Sequence, residues 1–234
     1  MYKRQLINGL TVGHGGNNVA SNTAVGDSAL YNNTVGQYNT ANGYQALNSN
    51  TDGSKNTALG YQALEDNTIG SNNTAIGYNA QVPSAVGDNQ VRIGNVSVTY
   101  AGVQVPWTYT SDKRWKSDIQ SSELGLNFIS KLRPVQYYRT NDEGKKTEYG
   151  FIAQELEEAL NNAGATNNGI ISKDDAGMYG VRYNDLISPM VKATQELNSK
   201  VASQQQTIEA QQAENEALRS RLDKLEQLIK KLAK

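Results

Sequence analysis

Asn39-Thr40-Ala41-Asn42-Gly43-Tyr44-Gln45-Ala46-Leu47 and Asn56-Thr57-Ala58-Leu59-Gly60-Tyr61-Gln62-Ala63-Leu64 are two copies of one phrase, 17 residues apart. A third copy, NTAVGDSAL, starts at Asn22, and a fourth, NTAIGYNAQ, starts at Asn73. Between them a second beat recurs at Thr34-Val35-Gly36, Thr51-Asp52-Gly53 and Thr68-Ile69-Gly70. A fixed period of this length is the signature of a stacked, solenoid-like array, in which each unit closes its core against its neighbours.

The residue types suggest the shape of one turn. Ala24, Ala41, Ala58 and Ala75 fall in one column, and Ala29, Ala46, Ala63 and Ala80 in another. Val25, Leu59 and Ile76 are expected to stack beside them, with Leu30, Leu47 and Leu64. Asn42 puts a polar group into the Val/Leu/Ile column, so that turn is expected to be locally solvated. Glycine at the head of each GYQAL segment permits a corner with φ above zero. Thr and Val suit short strands, and Asn at matching positions can form ladders. The pattern predicts two short strands per turn, stacked about 4.8 Å apart. Pro83 is expected to end the array.

Bulk properties narrow the classes. Hydrophobic residues make up 37% of 234, with two Phe and two Trp, so one chain has little with which to fill a thick core. Stacking of repeats and association with further copies are the available remedies. A net charge of −1 argues against a nucleic-acid partner. With no cysteine there is no disulfide or zinc-thiolate site, and no metal or cofactor is expected. No apolar run is long enough for a membrane span. Met1-Tyr2-Lys3-Arg4-Gln5 lacks a signal peptide's apolar core and reads like a translated adapter scar, so the natural chain is expected to begin upstream. The strict register excludes a disordered low-complexity tract. A β-helix acyltransferase would repeat every six residues or so, which this chain does not. The repeat surface shows no aromatic cluster or basic pocket that would name a receptor. His14, the single histidine, is expected to be exposed rather than catalytic.

Over residues 9–81 the repeat resembles the β-roll heads of trimeric adhesins, and more closely the NTA-x-GYQAL repeats of phage tail-fibre proteins. That resemblance implies three chains side by side. From Gln90 the chain alternates through Val91, Ile93, Val96, Val98, Tyr100, Val103, Val105 and Trp107, with breaks at Gly94 and Gly102. This reads as a β neck, with Trp107 anchored in a core or a subunit interface.

Composition changes at Thr110-Ser111-Asp112-Lys113-Arg114-Trp115-Lys116-Ser117-Asp118-Ile119, before which the chain is repetitive and after which it is charged and helix-prone. A serine here needs a base, and the only histidine lies far upstream. A lysine serves if it is neutral, which near pH 7 requires its ordinary pKa of about 10.4 to fall by roughly three units through burial or nearby cations. Lys113 and Arg114 are such cations in sequence. The segment resembles the Ser-Asp-x-Arg-x-Lys-x-x-Ile signature that opens the self-cleaving intramolecular chaperone of phage tail spikes and endosialidases. The likeness continues through Leu124-Gly125-Leu126, Leu132-Arg133-Pro134-Val135, Tyr149 to Leu156, and Tyr183-Asn184-Asp185-Leu186-Ile187. It implies a cut between Thr110 and Ser111, with Ser111 as nucleophile and Lys116 as general base. Asp112 would either position Lys116 or brace the turn. The pair would act within one chain or across two.

Downstream, helices are expected at Leu124–Lys131 and Tyr149–Leu160, and strands at Val135–Arg139 and Tyr179–Tyr183, with a turn at Asn141-Asp142-Glu143-Gly144. Glu155, Glu157 and Glu158 read as a solvated helix face rather than a metal site. With Ser188 as cap and Pro189 first, a long helix follows. Thr194, Val201, Ile208, Asn215, Leu222 and Ile229 fall at heptad a, and Met190, Leu197, Gln204, Gln211, Leu218, Leu225 and Leu232 at d, which is a coiled-coil seam.

The whole reads as an elongated multi-part homotrimer. A lead-in (1–20) precedes the β-roll or β-solenoid of 17-residue repeats (21–81) and a β neck (82–110). A small α+β chaperone and autopeptidase domain (111–188) and an α-helical coiled coil (189–234) follow. The expected function is part of a phage tail fibre or spike in the virion, meeting a host-cell surface receptor, without nucleic acid or membrane insertion. The alternatives are a bacterial cell-surface trimeric adhesin with the same module, and a trimerisation protein that does not cleave.

Overall fold

In the computed structural model, residues 4–7 and 10–232 are described, so the outermost residues of the expected lead-in and coiled coil lie outside them. The chain forms two compact units: residues 1–110 with 136–148 and 172–180, and residues 111–135 with 149–171 and 181–234.

The first unit is built on the repeat. Strands β1 (Arg4–Ile7) and β2 (Leu10–Gly13) form an antiparallel hairpin, and β2 pairs antiparallel with β3 (Thr23–Val25). From there β4 (Thr40–Asn42), β5 (Thr57–Leu59) and β6 (Thr74–Ile76) add in parallel, Ala24 opposite Ala41, Ala41 opposite Ala58 and Ala58 opposite Ala75. This is the expected β-solenoid, with two corrections. There is one strand per turn, not two. The Gln-Ala-Leu side cannot be extended, because Gln45 and Leu47 both sit at positive φ, 53° and 52°, as do their counterparts Gln62 and Leu64. It stacks nonetheless, Leu30 N–H donating to Ala46 O at 2.9 Å and Leu47 N–H to Ala63 O at 3.0 Å. Nor does Pro83 end the array. Strand β7 (Val91–Ile93) pairs parallel with β6 in the same register, Thr74 opposite Val91.

The core of the array is narrow: both alanine columns and Leu30, Leu47 and Leu64, all buried. The column expected beside them points outward instead. Leu59 and Ile76 are exposed, and so is Asn42, which explains how a polar residue is tolerated there. Two asparagine ladders run through the interior. Asn39 N–H donates to Asn22 Oδ1 at 2.8 Å, and the same bond recurs from Asn56 to Asn39 and from Asn73 to Asn56 at 2.9 Å. Asn50 Nδ2 donates to Asn33 Oδ1 and Asn67 Nδ2 to Asn50 Oδ1, each at 2.9 Å. These amides satisfy corner backbone groups that a thin core would otherwise leave unpaired. Outside, Tyr44, Tyr61 and Tyr78 stack with ring centroids 5.2 Å apart, so the repeat surface does carry an aromatic cluster. His14 is half-buried, its Nδ1–H donating to Asn22 O at 2.6 Å. Trp107 is exposed, in no core of this chain.

The second unit is a small helical body. Helix α1 (Leu126–Ile129) and helix α2 (Ala153–Asn162) close over Phe128, Leu156, Leu160, Ile170 and Leu186. Both helices are shorter or later than the periodicity suggests, since Glu148–Gly150 is strand rather than helix. That strand, β9, pairs with β8 (Val135–Tyr137), and β10 (Ile171–Lys173) pairs with β11 (Tyr179–Val181); most of these two hairpins, residues 136–148 and 172–180, belongs to the first unit. Phe151 N–H donates to Tyr183 Oη at 3.0 Å, and Glu155 on α2 pairs with Arg133. Helix α3 (Ile187–Leu232) starts two residues before Pro189, continuing a 3-10 turn at Tyr183–Leu186 rather than starting from a Ser188 cap. It is a single 46-residue helix. Leu197, Val201, Ile208, Leu218, Leu222, Leu225 and Ile229 are all about half exposed along it, an apolar seam with nothing on it in the single chain.

Candidate active site

Ser111 and Lys116 are brought together by a short reversal of the chain. Lys113–Trp115 form one 3-10 turn, flanked by Asp112 and Lys116, both extended. Trp115 N–H donates to Asp112 O at 3.1 Å and Lys116 N–H to Lys113 O at 3.0 Å. The turn folds Lys116 back over its own start, and its Nζ lies 2.8 Å from Ser111 Oγ. Hydrogen-bond reach between a hydroxyl and a candidate base is the first geometric requirement for nucleophilic catalysis. Both side chains are exposed in the single chain.

Asp112 braces this turn and does not touch Lys116 through any described hydrogen bond. Its carboxylate accepts Arg114 N–H at 2.8 Å, capping the turn, and holds the Arg114 guanidinium through Oδ1 at 3.0 Å and Oδ2 at 2.8 Å. The Arg114 guanidinium, helped by the Arg114 amide, holds the Asp112 carboxyl below the usual carboxylate range against a small opposing effect of desolvation. The same pairing raises Arg114. Arg114 is one of the two cations near the lysine in sequence, and its charge is matched by Asp112. Spacing alone could not distinguish these roles, since an Asp and an Arg two residues apart meet only when the turn between them is tight.

Thr110, on the other side of the candidate bond, is exposed and is the last residue of the first unit's leading segment; Ser111 is the first of the second. Among the described residues no His, Cys, Asp and Glu cluster is arranged to hold a metal ion. No described helix is long and apolar enough to cross a membrane.

Residues 111–165 match the model of the peptidase family described as the chaperone of endosialidase. The match opens on Ser111 and takes in the whole turn, α1 and α2; the repeats and α3 lie outside it. No curated protein matches the chain, and no solved structure does.

Proposed function

We propose that the chain is part of a trimeric phage tail fibre or tail spike. In this reading, residues 111–234 bring three repeat arrays into register and then part from them by one cut between Thr110 and Ser111. The observation that carries the reading is the 2.8 Å approach of Lys116 Nζ to Ser111 Oγ at the first residue of the peptidase-family match.

The chemistry balances with the residues present. Lys116, as the neutral amine, takes the hydroxyl proton while Ser111 Oγ bonds to the Thr110 carbonyl carbon. The amide C–N bond breaks as that proton passes to the Ser111 nitrogen. This leaves a Thr110–Ser111 ester and a free α-amine. Water then hydrolyses the ester to a Thr110 carboxylate and restores the Ser111 hydroxyl. A lysine accepts a proton only as the neutral amine, a form that burial favours by desolvation, and neighbouring subunits would bury the turn. Cleavage is therefore expected after assembly.

Two sets of exposed apolar residues support association with further copies, the α3 seam and the outward Leu59 and Ile76 with the Tyr44–Tyr61–Tyr78 stack, and the number three follows the resemblance of the repeat and the chaperone segment. Parallel β arrays nucleate slowly, because distant segments must pair before contacts reward them. A C-terminal coiled coil shortens that search. Removing it afterwards leaves a fibre held by its unfolding barrier.

Intact-mass measurement on freshly purified protein tests the reading. Wild type should give two fragments, residues 1–110 and 111–234. Ser111→Ala and Lys116→Ala should stay whole, while Lys113→Ala should still be cut. A Ser111→Ala chain that splits at the same bond overturns the mechanism.

A further inference from the structure

One edge of the repeat array ends on a carboxylate. Thr34 N–H donates to Thr51 O at 2.8 Å, Thr51 N–H to Thr68 O at 2.7 Å, and Thr68 N–H to Ala85 O at 2.9 Å. Each acceptor is a backbone carbonyl one turn further along. The next donor, Ala85 N–H, meets no carbonyl of a following turn. It donates to Asp175 Oδ2 at 2.8 Å. Asp175 in turn donates its own N–H to Pro83 O at 2.8 Å. A residue that donates to one position and accepts from the position two further on is paired as in a parallel ladder. Asp175 pairs in this way around Ser84, with its side chain in place of its backbone carbonyl.

The segment that presents Asp175 is a closed turn within the same unit as the array. Asp174 N–H donates to Met178 O at 3.0 Å, Met178 N–H returns to Asp174 Oδ1 at 2.7 Å, and Gly177 N–H reaches Asp174 O at 2.9 Å. Lys173 Nζ sits 4.4 Å from the Tyr179 ring centroid across the hairpin. The array's last turn is also unlike the others. Arg92 stands in the column of Ala24, Ala41, Ala58 and Ala75, donating from Nε to Gln81 O at 3.0 Å, and Gln90 replaces the ladder asparagine. A polar terminal turn is how a repeat array closes its core to water. At the other end the chain closes the array itself, through β2 and a Gly26 N–H to Thr11 O bond at 2.9 Å.

We propose that the Asp174–Met178 turn is a detachable end cap of the repeat array, with Asp175 standing in for the rung that does not follow. The cap lies downstream of Ser111, so the cut proposed above leaves it attached to the array by non-covalent contacts alone. Its departure uncovers Ala85 N–H and Pro83 O. That timing rests on the cleavage reading; the cap itself does not.

Hydrogen exchange read by mass spectrometry on the uncut Ser111→Ala chain tests it. Adding Asp175→Ala should speed exchange in the peptide containing Ala85 by about tenfold, and leave peptides around Thr51 and Thr57 unchanged. Asp175→Asn keeps an acceptor oxygen and should restore most of the protection. Equal protection at Ala85 in all three proteins overturns the cap, as does equal loss in the Asn and Ala variants. In chains that keep Ser111, Asp175→Ala should still be cut. A wild-type chain that is never cut defeats the cleavage reading alone, and the exchange result still decides the cap.

Discussion

Glu196, on α3, accepts the Leu126 N–H at the start of α1 at 2.7 Å, with Lys192 Nζ 3.5 Å away on its other side. A four-residue helix has no stable turns of its own to spare, so a cap lent by a neighbouring helix fixes where it sits. The Leu126 amide, and then Lys192, hold the Glu196 carboxyl below its ordinary value of 4.5. A depressed carboxylate contributes stability that is fully present above the unfolded value and is lost as pH falls through the folded one. Glu196→Gln should therefore melt below the parent at pH 7, and the gap should narrow as pH falls below 4.5. Thermal scans of the uncut Ser111→Ala background across that range measure this, and a gap that widens with acid would contradict it. Gly43 shows a different constraint. It sits at φ 141°, and a Cβ there would meet Gly60 O at 2.2 Å. Gly164, at φ 80°, has open space around it. Gly164→Ala should cost about 1–2 kcal/mol for the backbone conformation alone. Gly43→Ala should cost well beyond that, because two backbones must move apart; urea unfolding followed by circular dichroism compares the two.

At the scale of the element, the array is held by its buried amides as well as by its hydrocarbons. Asn56 is fully buried; its Nδ2 donates to Gly70 O at 2.8 Å and its Oδ1 accepts Asn73 N–H at 2.9 Å. Asn56→Ala would leave the Asn73 N–H buried without a partner, while Gly70 O keeps its bond from Asn67 Nδ2 at 2.9 Å, a loss of roughly 1–3 kcal/mol. Thr57→Ala, next to it but exposed, should change stability by less than about 0.5 kcal/mol. The period, the alanine columns and the ladders were legible because they repeat. Strand β7 was not, because Asn73-Thr74-Ala75 is answered one period later by Gln90-Val91-Arg92, leaving Gly87, Ile93 and Gly94, one period after Gly70, Ile76 and Gly77, as the signal. A second strand per turn was expected because left-handed backbone at Gln45 and Leu47 leaves no trace in residue type. Around Ser111 the opposite held: both residues of the contact could be named from the segment, whereas the partner of Asp112 depended on how tightly the turn closed.

At the scale of the whole molecule, the heptad seam of α3 and the proposed cut become one experiment. Leu218→Asp with Leu225→Asp puts two charges into the seam that three copies would bury, at several kcal/mol each if unpaired. Sedimentation should then show monomer in place of the proposed trimer, and electrophoresis should show the chain mostly uncut. A monomer that is cut at the normal rate would separate scission from association. The cleaved repeat array should withstand heat and detergent yet fail to refold after complete denaturation, while the uncut Ser111→Ala protein should recover. One last property follows from the parallel register, in which every rung from β3 to β6 meets the next with Thr opposite Thr and Ala opposite Ala. Such an array is length-agnostic. Duplicating residues 39–55 inserts one more interchangeable link, and neither terminus detects the change, whereas adding sixteen or eighteen residues would throw every column out of phase. Array length can thus change in whole quanta of one period, while residues 111–165 stay untouched.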